Sequence, residues 1–170
     1  MSGIIWACDP GANGAFIRLI TLSDYTVFPT KYGYQDALML MQIDARNQAT
    51  GVIENLSMRL GDLKKAKAIA EMLKNAGRAL LCFELAGIAY EEVDPKTWQY
   101  DFGLVGYSYE ERKKLAVKIA RSYFGDATKA DADAKLIALH QYWKLNGITP
   151  PRQKQELIKS LTITREVHKP

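Results

Sequence analysis

Four carboxylates stand at the edges of otherwise apolar segments: Asp9, Glu54, Asp131 and Asp133. Asp9 follows Ile4-Ile5-Trp6-Ala7-Cys8 and precedes Pro10-Gly11, and Glu54 closes Gly51-Val52-Ile53. Asp131 and Asp133 open an Ala- and Leu-rich run. An acid at the end of a buried strand is costly unless it is paired or binds a cation. Each acid has a plainer alternative. Asp9 can head an Asx-type turn, and the later pair can cap a helix and complement its dipole. Taken together, carboxylates that converge on one rim repel unless cations neutralise them. Oxygen-rich sets of this kind suit Mg²⁺ or Mn²⁺. Two such ions a few Å apart activate a water and stabilise the leaving oxygen in phosphodiester hydrolysis. The chemistry expected is metal-dependent hydrolysis, with Asp9, Glu54, Asp131 and Asp133 as ligands of two ions per site.

The elements that must position these acids follow from local pattern. Ile4–Cys8 is short and continuously apolar, as a strand covered on both faces would be. Pro10-Gly11 and Asn13-Gly14 turn the chain back into a second strand from Gly14 to Leu19. Asp24–Pro29 reads as a third strand and Tyr34–Ala49 as a helix with Ala37, Leu38, Leu40, Met41 and Ala45 on its apolar face. Residues 51–55 repeat the design of the first strand. A loop over 56–61 leads to Asp62, a candidate cap for a helix over 63–85. Gly77 interrupts that helix and calls for close packing or a break there. Gly87 ends it, and Ile88–Val93 is the fifth strand, stopped by Asp94-Pro95. A helix-length link between strands implies a partly parallel sheet. Lys96–Gln99 starts a short turn or helix. Tyr109–Phe124 is an amphipathic helix with Leu115, Ile119 and Tyr123 inward, and 131–145 is the last helix of the core.

The 170 residues suit one domain large enough for a real core. Hydrophobic and charged fractions of 48% and 25% are those of an ordinary soluble protein and exclude a disordered or membrane-embedded class. No apolar run approaches a membrane span, and Asp9 and Pro10 interrupt any signal-like start, so a cytoplasmic protein is expected. Cys8 and Cys82 lie in apolar surroundings and read as buried thiols. The net charge of +4 permits a polyanionic partner without requiring one. Residues 1–151 read as the folded domain and 152–170 as a polar, basic tail.

The acids and their flanks resemble the RuvC family of Holliday junction resolvases, especially its small phage-type members. Ile5-Trp6-Ala7-Cys8-Asp9-Pro10-Gly11 is similar to that family's first-strand motif, and Val52-Ile53-Glu54-Asn55 to its second acidic motif. Val93-Asp94-Pro95-Lys96-Thr97-Trp98 resembles the segment entering a basic DNA-facing turn, and Ala132–Ala138 the last acidic helix. The resemblance spans residues 3 to about 143. It implies an α/β, RNase H-like fold: a mixed five-stranded sheet, its first three strands antiparallel, flanked by helices. It also implies a Mg²⁺-dependent endonuclease that cleaves four-way DNA junctions as a homodimer, with Mn²⁺ as a substitute ion. The helix over 63–85 is the expected dimer surface. Two departures stand out. The family usually carries an acid or His one helical turn before the final Asp, where this chain has Lys129 and Ala130; Asp131 takes that place if the first turn is irregular, with Asp126 in reserve. Gln99 stands where many relatives have Lys, which moves that phosphate contact to Lys96 or removes it.

Lys113 falls where the resemblance implies a DNA-contacting lysine, and Lys114 and Lys118 extend it to a phosphate-tracking patch, against the alternative of a solvated helix face. Leu56 and Met58 follow Glu54 and can wedge between unstacked bases at a branch point or fold back on the core. Arg59 in the same loop is grouped with the DNA-facing residues. Trp98 belongs to the same segment, although a core or rim anchor is its commoner role. His140 reads as packing or capping, and Tyr32 and Tyr34 as loop anchors. Two rivals remain: a nuclease of the same fold acting on RNA or replication forks, and a junction-binding protein with weakened chemistry. An actin-like nucleotide-binding domain is disfavoured by length, and no P-loop signature is present.

Overall fold

The computed structural model describes residues 3–56 and 66–150. Met58, Arg59, the Asp62 cap and the basic tail lie outside the described residues. Five strands form one sheet: β1 Ile5–Cys8, β2 Ala15–Thr21, β3 Asp24–Pro29, β4 Thr50–Glu54 and β5 Tyr90–Val93. Their order is β3-β2-β1-β4-β5. The first three pair antiparallel through tight turns, whereas β1–β4 and β4–β5 are parallel. Helix-containing crossovers make the parallel pairs possible. The helices are α1 Tyr34–Asp44, α2 Ala66–Ala86, α3 Pro95–Asp101, α4 Tyr109–Phe124 and α5 Ala132–Leu145.

The two-residue period of each strand decides which side chains meet which helices. Ile5, Ala7, Ile17, Leu19 and Val52 point to the face covered by α3, α4 and α5. Trp6, Cys8, Phe16 and Ile53 point to the other face, against Ala37 and Met41 of α1 and Ala79, Cys82 and Phe83 of α2. The backbone of β4 must be bare where Phe83 crosses it. A Cβ at Gly51 would lie 2.6 Å from Phe83 Cε1 and 2.7 Å from Tyr90 Cβ.

Two expectations change, for α4 and for Gly77, and α5 is buried more deeply than one apolar face would require. The buried face of α4 is Ala116, Ile119, Ala120 and Phe124, rotated from the anticipated one. Its alanines allow close approach to the core, and Leu115 and Tyr123 pack at the edges. The stretch from Ala132 to Leu139 in α5 is buried on every side, because α5 packs against β1, β2, β4, α3 and α4 at once. Helix α2 runs through Gly77 unbroken, and a Cβ there would meet nothing within 4 Å, so neither proposed reason for that glycine holds.

One buried polar knot ties α1 to the sheet. Asp44 Oδ2 accepts from Trp6 Nε1 at 2.9 Å and from Arg18 Nε at 2.6 Å, and Oδ1 accepts from Arg18 Nη2 at 2.7 Å. Removing the carboxylate strands an indole N–H and a guanidinium. Asp44→Ala is expected to cost roughly 2–4 kcal/mol, read in urea as a lower midpoint with an unchanged slope.

Candidate active site

Strand register brings the first two acids together. Cys8 on β1 pairs with Ile53 on β4, so the next residues, Asp9 and Glu54, emerge side by side at the same sheet edge. By parity both point to the α5 face, where Asp133, in the first turn of α5, meets them. Asp9, Glu54 and Asp133 line one cleft of about 710 Å³, together with Tyr109, Arg112 and Lys113 of the α4 end.

Each acid is held by a neighbour. Asp9 Oδ1 accepts from Gly11 N at 2.8 Å, so the Asx-turn reading is correct and leaves the other oxygen in the cleft. The turn closes with Gly14 N donating to Gly11 O at 3.0 Å, and the buried Asn75 Nδ2 donates to the same carbonyl at 3.0 Å. Only glycine fits at 14, because a Cβ would lie 1.9 Å from Asp9 O. Glu54 Oε1 accepts from Trp98 Nε1 at 3.1 Å. Trp98 is 0% exposed, which corrects its grouping with DNA-facing residues: it orients Glu54 from beneath. Pro95 at the start of α3 and the Asp94 carboxylate, which accepts from Lys96 N at 2.7 Å, fix the turn that delivers it. Asp133 Oδ2 accepts from Lys113 Nζ at 2.6 Å. A capping box between Ser108 and Glu111 starts the helix that carries this lysine.

The charges act on one another. Burial, then the Asp133 charge, push Asp9 above the usual carboxylate range, while Lys113 and the Gly11 N–H pull it back. Burial, then Asp9 and Asp133, push Glu54 up to about 8. Burial opposes the Lys113 charge, but the facing Asp133 and Asp9 outweigh it and raise its pKa. Hard oxygen donors in mutual repulsion are, in donor type, the set that a cation of the Mg²⁺ class neutralises. Among the described residues no three acid, His or Cys side chains are gathered into a finished ligand cluster. The Lys113 ammonium supplies the positive charge that Asp133 meets.

Asp131 does not join them. Its Oδ1 accepts from Thr128 N at 2.6 Å and Thr128 Oγ1 at 3.0 Å, and its Oδ2 lies 3.3 Å from Lys135 Nζ. Asp126, the reserve candidate, is likewise taken: it accepts from Lys135 Nζ at 2.8 Å and from the Tyr25 hydroxyl. Lys135 is 0% exposed, and its ammonium also lies 4.8 Å from the Tyr25 ring centre. A cation buried this deeply needs both carboxylates. The sequence reading missed Lys135, and the available signal was a lone lysine inside the apolar run Ala132–Leu139. Arg112, Lys129 and Tyr109 at the cleft were also missed. Lys113 is in the cleft, whereas Lys114, Lys118 and Lys96 are exposed outside it. His140 Nδ1 lies 2.6 Å from Asp101 Oδ2 and pins α5 to α3, away from the acids. Burial pushes the Cys8 thiol well up, which leaves it inert.

Two solved structures share this architecture. T. thermophilus RuvC in complex with Holliday junction substrate superposes with a TM-score of 0.54 at 15% identity, covering 88% of this chain and 99% of that one. A second Thermus thermophilus RuvC structure gives 0.51 at 16%, covering 87% and 99%. The fold is RNase H-like. No family model matches the chain, and no curated protein matches its sequence. Among the described residues no helix is long and apolar enough to cross a membrane.

The raised Glu54 pKa has a thermodynamic sign. The native state favours the protonated carboxyl, so this contribution to stability is present below the ordinary value of 4.5 and is lost as pH rises to about 8. In EDTA, Glu54→Gln should melt close to wild type near pH 5 and above it near pH 8. Melting temperatures of the two proteins that run parallel across that range would overturn the raised Glu54 carboxyl.

Proposed function

We propose that this protein is a metal-dependent, structure-selective endonuclease that cleaves branched DNA, with four-way junctions as the preferred substrate. The observation that carries this reading is the convergence of Asp9, Glu54 and Asp133 on one cleft of an RNase H-like fold. Two Mg²⁺ ions, or Mn²⁺ in their place, would be held by these acids and would supply water activation and leaving-oxygen stabilisation. The chain's own contributions are positional. Asp9 is fixed by the Gly11 N–H and Glu54 by Trp98, so both present oxygens without further ordering. Lys113 keeps Asp133 in the cleft and offers a positive charge where a phosphate enters. Exposed Lys114, Lys118 and Lys96 suit backbone phosphates further along the DNA. Met58 as a wedge at the branch point and Arg59 as a DNA contact remain part of this proposal, and residues 152–170 are proposed to be a basic tail appended to the domain.

A junction-binding protein with weakened chemistry is the second reading. It is favoured by the engagement of Asp131 and Asp126 with Lys135, which leaves only Asp9, Glu54 and Asp133 of the expected ligands in the cleft, beside Glu110 of α4. Incubation of junction, fork, duplex and RNA-containing substrates with and without Mg²⁺ separates the readings. Paired incisions of the junction only with Mg²⁺ support the nuclease. Tight junction binding with no cleavage in any divalent ion supports the second reading. Preferred cleavage of RNA or forks overturns the junction assignment.

Asp9→Asn, Glu54→Gln and Asp133→Asn should each abolish cleavage while metal-free junction binding is kept. Asp131→Asn should cleave within about tenfold of wild type but unfold more easily, because Lys135 loses a buried counter-charge. Single-turnover rates and urea midpoints of the four variants check this, and an inactive, stable Asp131→Asn would return that residue to the chemistry.

Paired incision of a junction needs two sites, and a homodimer supplies them. Helix α2 offers the surface: Leu73, Leu81 and Leu85 are about half exposed, with exposed Gly77 among them at helical spacing. A self-complementary apolar stripe suits a two-fold contact. Leu81→Lys is expected to convert a dimer to a monomer in sedimentation at micromolar concentration, with helix content unchanged. A monomeric wild type would exclude this dimer.

A further inference from the structure

A second depression, of about 350 Å³, adjoins the acid cleft and shares Ala12, Asn13, Gly14 and Ala130 with it. Its far wall is the corner between β3 and α1, where Lys31 and Tyr32 stand. Tyr32 is 76% exposed, a large aromatic surface left in water. The Lys31 ammonium lies 5.2 Å from its ring centre, and Lys31 is itself exposed. The corner is not a loose loop. Thr30 is fully buried, and both its N–H and its hydroxyl donate to Gly14 O at 3.0 Å. Tyr32 N and Gly33 N both donate to Pro29 O, at 3.2 and 2.7 Å. Gly14 belongs to the turn that begins at Asp9, so Tyr32 is built onto the support that holds the first acid.

We propose that Lys31 and Tyr32 form a nucleotide subsite beside the acid cleft, in which the Tyr32 ring stacks an unstacked base and Lys31 meets the phosphate of the same DNA strand. The inference rests on the nuclease reading and deepens it. Three features select a nucleic acid strand as the occupant. A tyrosine with an adjacent lysine provides a π-surface for a base and a cation for its phosphate, the combination that single strands use. The charge lining of the depression supports it: its carboxylate, Asp131, is already held by Thr128 and Lys135, which leaves Lys31 to face a polyanion. The depression shares the wall formed by Ala12, Asn13, Gly14 and Ala130 with the cleft, so a strand whose phosphate lies at the acids has Tyr32 in the adjoining depression. The bonds at Thr30 and Pro29 hold the backbone that carries the ring before binding, so the corner itself needs no ordering.

The test is metal-free titration of a fluorescent four-way junction and of a single-stranded oligothymidylate against wild type, Tyr32→Ala, Tyr32→Phe and Lys31→Ala over a salt series. Tyr32→Ala should weaken oligothymidylate binding by roughly tenfold, and Tyr32→Phe should restore it because the π-surface returns. Lys31→Ala should reduce the slope of log affinity against log salt by about one unit. Wild-type binding with an unchanged affinity for Tyr32→Ala would overturn the subsite and leave the nuclease reading standing. Equal loss in Tyr32→Phe and Tyr32→Ala would overturn stacking as its basis. A wild type that binds neither DNA would overturn both.

Discussion

Three carboxylates facing one cleft repel one another, and most of their surroundings either offset that repulsion or hold them against it. The parallel pairing of β1 and β4 forces Asp9 and Glu54 to neighbouring positions, and the burial of α5 gives Asp133 no route outward. The restraints are a backbone N–H on Asp9, an indole N–H on Glu54 and an ammonium on Asp133. These groups come from a turn, from α3 and from α4, so separate parts of the chain meet at this cleft for electrostatic reasons. Glu54 is pushed up first by its burial and then by the charges of Asp9 and Asp133, which those donors leave partly uncompensated.

Nearly all of the fold was legible because its signals are local. Short apolar runs ending in an acid mark β1 and β4, turn dipeptides mark the hairpin, and Asp94-Pro95 marks the boundary between β5 and α3. Asp9 and Glu54 were legible as a pair because two central strands of one design place their ends at one edge. What failed to show was partner choice across the chain. Lys113 and Lys114 look alike in sequence, but one residue of helix turns a side chain by about 100°, which puts one in the cleft and the other in solvent. Trp98 reads as a core or rim anchor within a DNA-facing segment, but its partner was hidden: its N–H finds Glu54, a residue with no sequence relation to it. The rotated inner face of α4 was hidden because alanines carry little hydrophobic weight in a pattern but permit the closest packing.

Asp131 shows why a motif two residues wide can mislead. It could share the site with Asp133 only if the first turn of the helix were irregular, because residues two apart diverge in a regular one. The decisive residue is Lys135, one turn further on, whose burial commands Asp131 and Asp126 together. The loop between α4 and α5 is thereby fastened to the helix and to Tyr25 of β3, and its next residues, Lys129 and Ala130, form part of the cleft wall. A residue with no place in the proposed chemistry thus shapes the site through charge balance.

The parallel contact between β1 and β4 also carries a kinetic consequence. It joins segments separated by β2, β3 and α1, and Asp133 arrives only when the last helix docks. Pairings of such long sequence separation form late, because loop closure must precede them. The mutual repulsion of the acids is therefore nearly absent from early compact states and strongest in the finished one. Charge at the cleft then weighs on escape from the native state more than on the approach to it. A chain of this design can tolerate a crowded anionic centre without folding more slowly, and a cation that neutralises the centre while its hydrogen bonds are kept would lengthen the lifetime of the folded molecule.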